Sequence, residues 1–116
     1  MYSDLLLGHF RNPRNVGQLD PPAETVEVTN PVCGDILRLS VQWAAGIAEV
    51  VRYKARGCTA SIAAGSALTE LLTGQTQQNI HALTSEQIEE SLGGLPNESK
   101  HVALLCVDAA RQLGRG

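Results

Sequence analysis

Hydrophobic positions along the chain change their period twice. Tyr2 to Phe10 reads as a short helix, with Ser3 or Asp4 as its cap and the Asn12-Pro13-Arg14-Asn15 turn and Gly17 as its stop. Asp20-Pro21-Pro22 prolongs the loop. From Thr25 the period falls to two: Val26 and Val28 alternate with polar neighbours, and between Asp35 and Trp43 the residues Leu37, Leu39, Val41 and Trp43 share one face. Arg38, Ser40 and Gln42 take the other. Ala44-Ala45-Gly46 is a short hairpin connection into a third strand, Ile47 to Arg56, with Val51, Tyr53 and Ala55 opposite Arg52, Lys54 and Arg56. The pattern predicts an antiparallel three-stranded meander with one wet face.

Beyond Gly57-Cys58-Thr59 the spacing turns helical. Ile62, Leu68, Leu71 and Leu72 stand among Ala60, Ala63, Ala64, Gly65, Ser66 and Ala67, and Gly74 is placed as a C-cap. Such a slim helix can lie close against another element. Thr84-Ser85-Glu86-Gln87 has capping-box spacing and opens a short helix ending near Gly93-Gly94. After Leu95-Pro96-Asn97, the segment Glu98 to Leu113 reads as the last helix, its stripe running Val102, Cys106, Ala109, Ala110, Leu113. Strands first and helices after predict an α+β fold with helices on one face of the sheet. No internal repeat or linker divides residues 1–116, so the expectation is one domain.

Composition narrows the picture. A chain of 116 residues buries roughly two-thirds of its unfolded surface, enough for a core without disulfide staples. With 43% hydrophobic residues, one Trp, two Tyr and one Phe, that core is aliphatic. A net charge of −3 without blocks of like charge leaves no electrostatic footprint for nucleic acid or an anionic membrane. No apolar run is long enough to span a bilayer, and Met1-Tyr2-Ser3-Asp4-Leu5 lacks the order of a signal peptide, so the expected location is cytoplasmic. Three cysteines in a reducing compartment do not make a disulfide framework.

The cysteine positions admit two readings. In the plainer one all three are small buried hydrophobes, since free Cys is among the most buried residue types. In the other they converge. Cys33 and Asp35 flank Gly34 at the entrance to the second strand, and residues i and i+2 of an extended chain project to one side. A carboxylate facing the helical layer needs a partner. Cys58 falls where strand gives way to helix, beside unpaired N–H groups and the positive end of a dipole, which favour thiolate. Cys106 lies on the apolar stripe of the last helix. Three thiols and one carboxylate would make a four-coordinate site for Zn²⁺ or an iron centre. His101, five residues from Cys106, lies about 140° from it around a helix axis and is expected to face solvent. His9 and His81 have no ligand setting. The row Arg38, Arg52, Lys54, Arg56 is the solvated sheet face.

At this point the sequence resembles the iron–sulfur cluster assembly scaffolds of the IscU, SufU and NifU N-terminal type. The resemblance is carried by Asn12-Pro13-Arg14-Asn15-Val16-Gly17, by Asn30-Pro31-Val32-Cys33-Gly34-Asp35, by Gly57-Cys58-Thr59-Ala60-Ser61 with its small-residue helix, and by Cys106. It implies a SufE/NifU-like fold and Cys33, Asp35, Cys58 and Cys106 as metal or cluster ligands. There are departures. IscU-type members carry a histidine immediately before the third cysteine, where this chain has Leu105. They also carry a Leu-Pro-Pro-Val-Lys segment read by a dedicated Hsp70-type chaperone, of which Leu95-Pro96-Asn97-Glu98-Ser99-Lys100 keeps fragments. Handoff through that chaperone is therefore not expected. NifU-type chains continue into further cysteine-bearing domains, whereas this sequence stops at Gly116; the expectation is a stand-alone scaffold domain.

The resemblance implies a scaffold that accepts sulfur as persulfide from a cysteine desulfurase, combines it with iron into a [2Fe–2S] cluster and passes it to apo iron–sulfur acceptor proteins. Cys106 and Cys33 are then the candidate sulfur acceptors, and Asp35 is the weaker ligand that keeps the site labile. An alternative is a SufU-like, zinc-bound sulfurtransferase that stimulates the desulfurase without holding a cluster. A zinc-stapled interaction domain is a third, disfavoured because a chain of this length folds without a metal.

Overall fold

The structure, a computed structural model, describes residues 1–114. The elements run α1 (Asp4–Arg11), β1 (Glu24–Thr29), β2 (Ile36–Ala44), β3 (Ile47–Arg56), α2 (Thr59–Leu72), α3 (Gln77–His81), α4 (Ser85–Ser91) and α5 (His101–Gln112), with a 3₁₀ turn over Asn97–Ser99. The three strands form one antiparallel sheet in the order β1-β2-β3. Leu39 pairs with Val26 on one side and with Tyr53 on the other, so the alternation read from sequence sets the register. Ala45 and Gly46, both at positive φ, form the tight β2–β3 turn, the geometry that suits right-twisted strands.

Leu37, Leu39, Val41, Val51 and Tyr53 form the covered face, against α2 and α5. The fold is the expected α+β arrangement. Helix α2 lies close to the sheet because its contact residues are small: a Cβ on Gly65 would sit 2.3 Å from the Tyr53 ring. Tyr53 also donates its hydroxyl to the Ile62 carbonyl at 2.7 Å, pinning helix to strand. Burial pushes that phenol up to about 12, the buried Cys106 thiol adding to the shift.

The segment 12–17 closes the outer edge of β3. Tyr53 N–H donates to the Asn15 carbonyl at 3.0 Å and Gly17 N–H to the Tyr53 carbonyl at 2.9 Å, while Asn15 itself adopts φ 60°. Further along the same edge, Ala48 exchanges hydrogen bonds with Gly74 and Gln75. A strand edge otherwise open to pairing is thereby covered.

Helix α3 is absent from the sequence reading. Five residues carry no usable 3.6-residue period, although the Thr76 side chain caps the helix at Asn79 N–H. Elsewhere the boundaries move by a residue or a few. The capping box at Thr84 and Gln87 forms as its spacing predicts. The last helix divides, Asn97–Ser99 taking 3₁₀ form before α5 begins at His101.

Candidate metal centre

Three chain segments meet beyond the ends of β2 and β3. The first is the turn 30–35. Asn30 Oδ1 accepts from Val32 N–H at 2.9 Å, its carbonyl accepts from Gly34 N–H at 2.7 Å, and its own N–H donates to the Asp35 carbonyl at 2.8 Å. Gly34, at φ 76°, supplies the left-handed residue that this reversal requires. Cys33 therefore sits on an exposed turn, and β2 starts only at Ile36. The expectation that Cys33 and Asp35 extend the strand and share its inner face is corrected here: Asn30 and Pro31 bend the backbone before the strand begins.

The second segment is the β3–α2 junction. Cys58 is the N-cap of α2, as expected, and is exposed. A Cβ on Gly57 would lie 2.4 Å from Asp35 Oδ1, so this glycine leaves the space the carboxylate fills. Asp35 is 5% exposed, and its partners all converge on one oxygen. Ser61 Oγ donates to Oδ2 at 2.7 Å, His101 Nε2 lies 3.3 Å from it, and Cys58 Sγ lies 3.9 Å away.

The third segment is the start of α5, and it corrects the reading of His101. Rather than facing solvent, His101 reaches over the site from the first position of its helix. The ligand atoms of Cys33, Asp35 and His101 lie within 4.8 Å of one another, the metal-sized cluster found among the described residues. Helix periodicity could have shown this. A stripe that buries Val102 and Cys106 puts His101 on its flank at the open end of the helix, where side chains lean toward the N-terminus.

Cys106 is not brought to this group. It lies at the centre of the apolar stripe, 1% exposed, and burial pushes its thiol up to about 12. Five residues of helix rise about 7.5 Å and turn about 140° past His101, which takes residue 106 off the site and into the core. The expected convergence of three thiols is thus replaced by two thiols, a carboxylate and an imidazole. His9 and His81 stand apart: His9 packs against Ser66, and His81 Nε2 meets the Leu113 carbonyl at 2.6 Å.

The donor set fits a metal. Two ligands held about 2.0–2.1 Å from a tetrahedral centre are about 3.3 Å apart, which is the separation of His101 Nε2 and Asp35 Oδ2. Thiolate, imidazole and carboxylate together suit Zn²⁺ or iron.

Residues 1–113 match the model of the NifU-like N terminal domain. The chain belongs to this family. It is 38% identical over 112 residues to the iron–sulfur cluster assembly scaffold protein IscU 1 of Archaeoglobus fulgidus, covering 97% of this chain and 73% of that one. It is 39% identical over 114 residues to the IscU scaffold protein of Azotobacter vinelandii, covering 95% and 88%. Among solved structures, a Fervidobacterium islandicum protein assigned to the SUF system superposes with a TM-score of 0.74, at 19% identity, over 94% of this chain and 93% of that chain. At such identity the likeness speaks for the fold of this NifU-like domain alone.

Proposed function

We propose that this NifU-like domain is an iron–sulfur cluster assembly scaffold whose cargo is held by Cys33, Asp35, Cys58 and His101. The observation that carries the reading is the meeting of Cys33, Asp35 and His101 ligand atoms within 4.8 Å, with Cys58 beside the same carboxylate. Relatives named as IscU scaffolds, matched over nearly the whole chain, support it. In this reading His101 is the counterpart of the histidine that precedes the third cysteine in IscU-type sequences. The third-cysteine position then belongs to Val102, and Leu95-Pro96 falls just ahead of it, in step with the family's Leu-Pro.

Burial and exposure support Cys33 over Cys106 as the sulfur acceptor in this reading. A persulfide is transferred by thiolate attack, and Cys106 is enclosed with its thiol held protonated up to about 12. Cys33 is exposed on its turn beside Val32, which is 93% exposed. Its thiolate attacks the outer sulfur of a desulfurase persulfide. A new S–S bond forms on Cys33, the donor's S–S bond breaks, and the donor cysteine leaves as thiolate and takes up a proton. Iron and sulfur are substrates here. A dithiol reductant would release the outer sulfur of the Cys33 persulfide as sulfide, becoming a disulfide itself, and iron, when bound, would supply the Lewis acidity that draws thiolates and sulfide together. Cys58 and Asp35 hold the site from the helix and strand sides, and His101 covers it from α5. Partners of this reading are a cysteine desulfurase and apo acceptors, in a reducing compartment such as the cytoplasm.

Anaerobic reconstitution with a desulfurase, cysteine and ferrous iron tests it. The expected result is a sulfide-to-iron charge-transfer spectrum that passes to an apo-ferredoxin. A colourless protein holding one zinc per chain, inert as a donor, refutes it and favours the zinc-bound sulfurtransferase, a reading the single-ion spacing of Cys33, Asp35 and His101 also accommodates.

A further inference from the structure

Ser61 lies in the first turn of α2, 4% exposed, and its hydroxyl touches two of the residues assigned to the metal. Its Oγ is 2.7 Å from Asp35 Oδ2 and 3.3 Å from Cys58 Sγ. A hydroxyl has one proton to give. The carboxylate, nearer and acceptor-only when ionised, takes that proton. Toward Cys58 the oxygen is therefore the acceptor. Around Ser61, α2 presents Ala60, Ala63 and Ala64, all buried, so this hydroxyl is the polar group that the helix extends toward Asp35.

Asp35 Oδ2 has two close donors, Ser61 and His101. Only Ser61 is free of a role as ligand. When Asp35 and His101 share a metal, their mutual hydrogen bond is given up, and the contact from Ser61 is what still fixes the carboxylate. On its other side Oδ1 rests over Gly57, which offers space but no hydrogen bond.

We propose that Ser61 is a positioning residue for the metal site, holding the Asp35 carboxylate in its ligating orientation and acting through Asp35 rather than through Cys58. This rests on the reading of Asp35 and His101 as ligands. Hydrogen bonds to a ligating carboxylate typically change metal affinity by about 10- to 100-fold, and the contact from Ser61 to Asp35, at 2.7 Å, is shorter than its contact to Cys58, at 3.3 Å.

Co²⁺ is the probe, titrated into metal-free protein, with affinity from chelator competition and geometry from the d–d absorption. Ser61→Ala is expected to weaken Co²⁺ binding by about 10- to 100-fold and to shift the d–d bands, with Ser61→Thr restoring both. In an Asp35→Ala background the same Ser61→Ala change is expected to do nothing further, as a double-mutant cycle requires of a residue acting through Asp35. Thermal unfolding of the metal-free variants shows that each is folded. Ser61→Ala binding Co²⁺ as tightly as the unaltered protein, or losing the same factor without Asp35, overturns the proposal alone. If Cys33→Ala and His101→Ala bind Co²⁺ as the unaltered protein does, the metal-site reading falls and takes the proposal with it.

Discussion

Two polar clusters are built on α2 five residues apart, one around Ser61 and one around Ser66, and they serve opposite ends. Around Ser66, which is fully buried, Arg14 N–H donates to Oγ at 2.9 Å and His9 Nδ1 lies 2.8 Å from it. Arg14 and the His9 ring then both approach Glu70, at 3.6 and 3.7 Å. Every group there is occupied with another, and the result clasps α1 and the 12–17 segment to α2. Around Ser61 the same ingredients, a serine, a histidine and an acid, are joined by two exposed thiols. A polar knot anchored on a buried serine and histidine, whose members bond one another, is a fastening. It becomes a candidate centre when soft, accessible donors border it.

The comparison breaks most sharply on metal binding. Cys33→Ala and His101→Ala are expected to lower Co²⁺ affinity by more than the factor of about 100 that outer hydrogen bonds reach. Cys106→Ala should leave it unchanged and cost about 1 kcal/mol of stability, the scale of one small group removed from the core. Equal losses for all three would return Cys106 to the site. Next comes Ser66→Ala, which orphans the Arg14 N–H and takes from His9 Nδ1 one of its two partners. We expect a loss of about 1–3 kcal/mol in denaturant titration with Co²⁺ affinity intact.

Smaller effects follow from titration. Burial, then the Arg14 guanidinium, hold His9 below its ordinary value of 6.5, with Glu70 opposing. The unfolded chain therefore binds a proton at higher pH than the folded one. The contribution of neutral His9 is whole above pH 6.5 and is lost as the pH falls toward the depressed folded value. A melting-temperature series should show this acid limb flattened in His9→Gln. At the alkaline end the sign reverses. Cys106, raised from 9.0 to about 12, keeps its proton when the unfolded chain has released it, so stability declines as pH rises above 9. In a thiol-labelling assay at mild pH, two cysteines should react quickly and the third only on unfolding.

The sheet was legible because strand alternation is local: Leu37, Leu39 and Val41 announce one face without reference to the rest of the chain. So was the Thr84 capping box, whose partners lie three residues apart. Cys33, Asp35 and Cys58 could be named from the turn and the helix start that carry them. What escaped was longer in range. His101 and Asp35 are separated by 66 positions, and only packing of α5 against the sheet decides which helix face looks at the site. Cys106 misled for the same reason. A thiol on an apolar stripe points inward, but inward meant the core under Tyr53 and not the rim above Asp35.

Gly65 carries a mechanical consequence for this arrangement. With the Tyr53 ring against its bare Cα, it is the fulcrum on which α2 rests, about 10 Å along the axis from Cys58. A methyl group there would have to lift the helix or rotate the ring. Because Tyr53 also grips the Ile62 carbonyl, the lift would become a tilt, swinging the Cys58 end away from Asp35. The absence of one side chain in mid-helix thus gauges the width of a gap two turns away.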